Sequence, residues 1–222
     1  MANFFASLIK KSIPEELFTS DANKQAHFLI EQSFKNFGIE QVPEIILIGI
    51  RDNNMEKPDE IKDLLGFWTP QELQLFKGTT SPGVPATKDK SYRNKQGTFH
   101  LDEGYHKKIW CFGTHKGYEA LVNDGNYCLP TKGWRDANYD FKYDASDLKV
   151  KGYFGINFHR MHPTIIASII GKYSAGCQVI QDAKNFEYIK KTLKNTEMFK
   201  SNKKVAFDYI LFKKEDFPFL FV

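Results

Sequence analysis

The sequence predicts a mixed α+β fold, mostly β, in a single domain with a helical lead. Three observations predict it. Glu44–Arg51 (EIILIGIR) is a short β-branched run, the pattern of a buried strand. Between Thr98 and Leu129, brief apolar runs alternate with Gly, Asn and Asp, the spacing of antiparallel β structure. Apolar residues also recur twice at helical spacing, at Ile30, Phe34 and Phe37 and again at Phe186, Ile189 and Leu193. The chain has 222 residues with 41% hydrophobic side chains, normal for a globular protein. Disorder, collagen and coiled coil are thereby excluded as descriptions of the whole chain.

The first element is a helix over residues 14–38, with Pro14 near its start and Gly38 as C-cap. After the strand at 44–51 comes a polar loop to Asp59, then Ile61–Trp68 as a short helix or a pocket-lining segment. Thr80-Ser81-Pro82-Gly83 is a strong turn signal and Lys88–Gly97 a polar loop. The short runs that follow are Thr98–Leu101, Lys108–Gly113, Ala120–Val122 and Asn126–Leu129. Trp134–Asp147 reads as a surface excursion and Tyr153–His159 as a strand. Asp182 caps a helix from about Ala183 to Lys194. Val205–Phe212 is a further strand, and Phe217–Val222 an apolar tail docked on the core.

The formal charge is +4, carried by 27 Lys and only four Arg. Base readers depend on bidentate Arg, so nucleic acid is not an expected partner. Three cysteines with no CxxC spacing indicate neither a zinc ribbon nor a disulfide framework. The opening MANFFASLIKK has its first Lys at position 10 and an apolar stretch broken by Asn3 and Ser7, a poor secretory signal. The longest aliphatic-plus-Gly run, Ile45–Ile50, is far below the ~20 residues of a membrane span.

One constellation carries chemistry. Ile156-Asn157-Phe158-His159-Arg160 is followed by Tyr173-Ser174-Ala175-Gly176-Cys177-Gln178. A free thiol is only slightly ionised at neutral pH, and a nearby imidazole withdraws its proton and stabilises the thiolate. His159 and Cys177 can meet across neighbouring strands. Gly176 removes a Cβ where an oxyanion hole would need close backbone amides. Ser174 and Tyr173 add hydroxyls for a peptide substrate, and Arg160 and Arg135 are candidates for a substrate carboxylate. Against this stands the commoner fate of a cysteine, burial as a small hydrophobe. That fate is expected for Cys111 and Cys128. His162 forms an HxxH pair with His159, but no further ligand is present, and no metal or cofactor is expected. His115 and Tyr118 either line the cleft or pack a turn. Phe67 and Trp68 are expected in the core, and the Lys-rich stretch from Lys184 to Lys214 on a solvated face.

At these residues the sequence resembles the YkuD-type L,D-transpeptidases, in which a His is followed after a similar loop by Ser-His-Gly-Cys. Thr79–Gly83 resembles the Thr-Pro-x-Gly segment of that family. Ser-Ala-Gly-Cys-Gln and His115–Leu121 (HKGYEAL) resemble phage and bacterial relatives more closely. The likeness spans residues 43–212, so residues 1–42 are expected as a helical lead and 43–222 as the catalytic domain. It implies a β-sandwich with an N-terminal helix and one helix after the cysteine. It also implies a cysteine enzyme acting on peptidoglycan stem peptides or muropeptides. In that reading Cys177 is the nucleophile, His159 the base, and amides around Gly176 and Ala175 the oxyanion hole. D-Ala is expelled to leave a thioester, which water or another stem's amine resolves. The chain departs from the family at Ala175, where many members have a second His, and at Val179, where an Arg or Asn often stands. Gln178, Arg160 or Arg135 would then hold the carboxylate. Without a general signal peptide, the resemblance implies a cytoplasmic enzyme or one exported by phage lysis or a dedicated machine. A non-catalytic wall-binding or virion domain of the same fold is the alternative. A cysteine peptidase acting on ordinary L,L-peptides is a third.

Overall fold

Ala26, Ile30 and Phe34 stand one turn apart and are all buried, which makes residues 20–36 an amphipathic helix, α1 (Ser20–Asn36). Gly38, at φ +69°, ends it: Ile39 N–H reaches Phe34 O at 2.9 Å and Gly38 N–H reaches Lys35 O at 3.1 Å, a Schellman closure. The computed structural model describes residues 20–54 and 56–221. The helix start expected at 14–19, the N-terminal segment and Val222 lie outside these.

The strands are β1 (Ile46–Arg51), β2 (Asp63–Trp68), β3 (Leu73–Thr79), β4 (Thr98–Leu101), β5 (Gly104–His115) and β6 (Tyr118–Val122). They continue as β7 (Thr131–Asp136), β8 (Leu148–Gly152), β9 (Asn157–Arg160), β10 (Gln178–Ile180) and β11 (Phe207–Lys213). Between them lie α2 (Val84–Lys88), α3 (Ala183–Asn195) and α4 (Glu197–Ser201). Eight strands close into a barrel in the order β1-β11-β5-β6-β9-β10-β3-β2, and β4-β7-β8 form a separate three-stranded sheet. Mixed and mostly β with an N-terminal helix is the expected class. The main sheet, however, closes on itself, and two helices rather than one follow Cys177.

Alternation along β1 explains why it reads as continuously apolar. Leu47 faces a core shared with Phe67, Phe158, Tyr209 and the Phe186/Ile189/Leu193 stripe of α3. Ile46, Ile48 and Ile50 face a second core, covered by α1 and Phe217. Asp182 caps α3 as expected, its carboxylate accepting from Lys184 N–H at 2.8 Å. Phe67 and Trp68 are fully buried, and Cys111 and Cys128 are buried beside Ala206. Ile61–Trp68 is corrected to strand β2 from Asp63, while Asn126–Leu129 is a turn. The excursion expected from Trp134 begins as strand β7, and β9 starts only at Asn157. Among the described residues no helix is long and apolar enough to cross a membrane.

Candidate functional site

Strands β9 and β10 run parallel, with Gln178 opposite Phe158 and Val179 opposite His159. Stepping back one pair puts Cys177 beside Asn157, and Asn157 N–H donates to Cys177 Sγ at 3.4 Å. His159 stands two residues further on the same strand, hence on the same face as Asn157 and roughly 7 Å along it.

The turn before the sulfur is built by Gly176. Its φ is +113°, and a Cβ there would come 2.5 Å from the carbonyl oxygen of Phe99 on β4. Ser174 is fully buried; its hydroxyl donates to Cys177 O at 2.9 Å and accepts from Gly176 N–H at 3.2 Å. Ser174 O in turn accepts from Gly83 N–H at 3.0 Å, docking the Thr79–Gly83 turn on the loop. Gln178 is also buried: Tyr209 Oη donates to its Oε1 at 2.7 Å, and its Nε2 reaches Thr80 O and Gly176 O, each at 3.4 Å. Three expectations are corrected by this network. Ser174 and Gln178 are sealed into the loop and have nothing left to offer a substrate, and the Gly176 amide is engaged by Ser174 rather than open to an oxyanion. Ala175 is exposed at the tip of the loop, and its amide, with that of Asn157, favours the ionised sulfur.

His159 Nδ1 lies 2.7 Å from Arg160 O and 3.0 Å from Tyr118 Oη. A carbonyl only accepts, so Nδ1 carries the proton and Nε2 keeps its lone pair. That Nε2 is buried and has no hydrogen-bond partner. Tyr118 Oη also donates to Arg160 O at 3.3 Å, closing a triangle that fixes the ring. His115 stacks on His159 with centroids 4.3 Å apart, and Asn157 Nδ2 donates to His115 Nδ1 at 2.8 Å. His115 and Tyr118 flank the Lys116–Gly117 turn edge to face, with centroids 5.7 Å apart, and both pack against the imidazole.

Burial pushes the His159 pKa from 6.5 down to about 3, helped by the nearby charges of Lys116 and Arg160. Burial likewise pushes the Cys177 thiol up, although the residue remains partly exposed. The resting pair is therefore neutral thiol and neutral imidazole, and the stabilised thiolate expected from the sequence is not the ground state. The imidazole can act as a base but not as a resting counter-ion. A stability consequence follows. Unfolded His159 takes a proton near pH 6.5 and folded His159 only near 3, so its contribution is complete above pH 6.5 and is lost as pH falls toward 3. Urea unfolding of wild type against His159→Gln should show the wild type losing about 2–3 kcal/mol more between pH 7.5 and 4.5.

Arg160 lays its guanidinium 4.1 Å over the Tyr118 ring and donates to Met161 O. Arg135, on β7, lies 5.9 Å from the ring of Phe99 and 5.2 Å from that of Phe154, with Nη1 on Gly97 O at 3.0 Å. Phe99 is the residue whose carbonyl touches Gly176, so Arg135 flanks the cysteine loop. Tyr173 is half-buried in the 3₁₀ turn Gly171–Tyr173, which leads into that loop. His162 serves a turn, its Nδ1 accepting from the backbone amides of Thr164 and Ile165. Among the described residues no group of three His, Cys, Asp or Glu is arranged to hold a metal ion.

No protein-family model, no curated protein and no solved structure matches this chain. The site must therefore be read from its own geometry. Sequence reasoning gave no role to Asn157, whose amide meets the sulfur, or to Phe99, which the loop packs against.

Proposed function

We propose that the chain is a cysteine-dependent L,D-acyl-transfer enzyme of the YkuD type, acting on peptidoglycan stem peptides and releasing D-alanine. The observation that carries this reading is the unpartnered Nε2 of a tautomer-locked His159, on the strand whose Asn157 amide meets Cys177 Sγ. As the sulfur attacks the carbonyl carbon before D-alanine, Nε2, which makes no hydrogen bond to Sγ at rest, comes within reach and takes the thiol proton, so the anion forms only in the transition state. Charge gathers on the former carbonyl oxygen, and the amides of Ala175 and Asn157, which already act on the sulfur, are the donors in this reading. When the intermediate collapses, the C–N bond breaks and the D-alanine nitrogen takes the proton back from Nε2. A thioester remains. Water then restores the thiol and a shortened stem, or an amine of another stem forms a crosslink. Arg135 and Arg160, planar donors at the rim of the loop, are the carboxylate anchors in this reading.

The alternative, a non-catalytic wall-binding or virion domain, is favoured by one feature: burial disfavours the charged form of both the thiol and the imidazole. Incubation with a disaccharide tetrapeptide separates the two. D-alanine release or crosslinked dimer supports the enzyme, and neither product from intact protein overturns it. Turnover of ordinary L,L-peptides would indicate a peptidase instead.

Tyr118 is a positioning residue here, since its hydroxyl acts on Nδ1 rather than on substrate. Tyr118→Phe keeps the ring under Arg160 but removes one partner of Nδ1. It should lower kcat roughly 10-fold, the size of one hydrogen bond, with KM nearly unchanged. A purely structural role would change Tm without that split.

A further inference from the structure

Phe99 and His100 are neighbours on β4 and face opposite ways. Phe99 turns toward the cysteine loop, whereas His100 turns to the other face of the three-stranded sheet. There its ring stacks on Trp134, with centroids 4.0 Å apart and planes 10° from parallel. On that face lies a cavity of about 330 Å³, at the small end of ligand-binding sites and suited to one ring rather than a chain.

Arg51, 2% exposed, lies at the buried side of this cavity with its donors committed: Nε to Thr80 Oγ1, Nη1 to Leu101 O and Glu103 Oε1, and Nη2 to Thr80 O. One wall is aromatic, with Trp134 edge-on to Tyr143 at 5.5 Å. The lining also offers the oxygens of Asn53, Asp102 and Glu103. Asp102 is paired with Lys149 at 2.6 Å and Glu103 with Arg51 at 3.1 Å. Lys142 and Lys213, also lining the cavity, have no ion pair among the described residues. Among the lining side chains, Arg51, Lys142, Lys149 and Lys213 outnumber Asp102 and Glu103, so the lining carries surplus positive charge. His100 itself, 1% exposed, keeps an Nε2 with no partner. An orphaned buried nitrogen is costly unless something supplies a bond.

These features suit one chemistry. An aromatic wall packs against the C–H face of a sugar, carboxylate and amide oxygens accept its hydroxyls, and unpaired lysines take an acid group. We propose that this cavity is a binding site for an acidic sugar, a single hydroxylated ring whose carboxylate or phosphate meets Lys142 and Lys213. The site is separate from Cys177 and stands whether or not that residue is a nucleophile.

Trp68 and Trp110 are fully buried elsewhere, so Trp134 is the reporter. The full chain is titrated with glucuronate, glucose 6-phosphate, glucose and inorganic phosphate, following fluorescence and, in parallel, heat. Saturable binding of glucuronate or glucose 6-phosphate is expected, at least 10-fold tighter than glucose or inorganic phosphate. Whichever acid binds better identifies the acid group. The fluorescence change should vanish in Trp134→Phe, and the exposed double variant Lys142→Ala/Lys213→Ala should weaken binding at least 10-fold by calorimetry, with its Tm unchanged. The proposal is overturned if no acidic sugar binds, if inorganic phosphate binds as tightly, if glucose binds as tightly, or if the lysine variant binds like wild type.

Discussion

Cys177→Ala is expected to lower D-alanine release from a disaccharide tetrapeptide by roughly 10⁴-fold or more, the scale of losing a nucleophile. The fold should survive, because the side chain is partly exposed and its removal leaves the Ser174–Gly176 hydrogen bonds in place. The loss is expected to be this steep because the neutral base has one proton to take, and without the thiol there is no covalent route. A carbapenem should add its mass to Cys177 in the wild type and to nothing in the variant. Adduct at Cys111 instead, or release that persists in Cys177→Ala, would refute the assignment.

Gly176→Ala is the second large effect, and it acts through shape. The position sits at φ +113°, where a side chain is strained, and the new Cβ would lie 2.5 Å from a backbone oxygen of Phe99 that cannot swing away. A cost of about 2–4 kcal/mol is expected from strain and clash together. Because Gly176 N–H holds Ser174 Oγ, and Ser174 Oγ holds Cys177 O, the displacement passes straight to the sulfur. Activity should therefore fall even at temperatures where the variant is folded. Chemical denaturation and assay on the same preparation check both halves, and wild-type activity with a wild-type midpoint would refute the account.

What the sequence discloses is set by how local the cause is. β1 is legible because Ile46, Ile48 and Ile50 are β-branched and both faces are covered. β3 is not, since Leu73–Thr79 interleaves Gln74 and Lys77 and lacks a β-branched residue before Thr79. Ile61–Trp68 stays ambiguous for another reason: Leu64, Leu65, Phe67 and Trp68 fill both sides of β2, so no period of two emerges. β7 hides among polar residues because a strand far away in sequence holds it: Trp134 lies on His100 of β4, directly opposite it in the ladder. At the site, the His159–Cys177 pair and its glycine are visible as a short motif. The fates of Ser174 and Gln178 are not, because Tyr209 and Thr80, which claim Gln178, lie 31 and 98 residues away. Burial is likewise invisible in a motif, which is why the thiolate expectation and the neutral resting state differ.

The barrel is sewn shut by its first and last strands, β1 lying parallel to β11. During synthesis the strand at 207–213 leaves the ribosome after the other ten strands described. Until then the cylinder gapes, and Tyr209 is not yet there to hold Gln178 beneath the cysteine loop. The cysteine loop therefore gains its full support only when β11 completes the barrel.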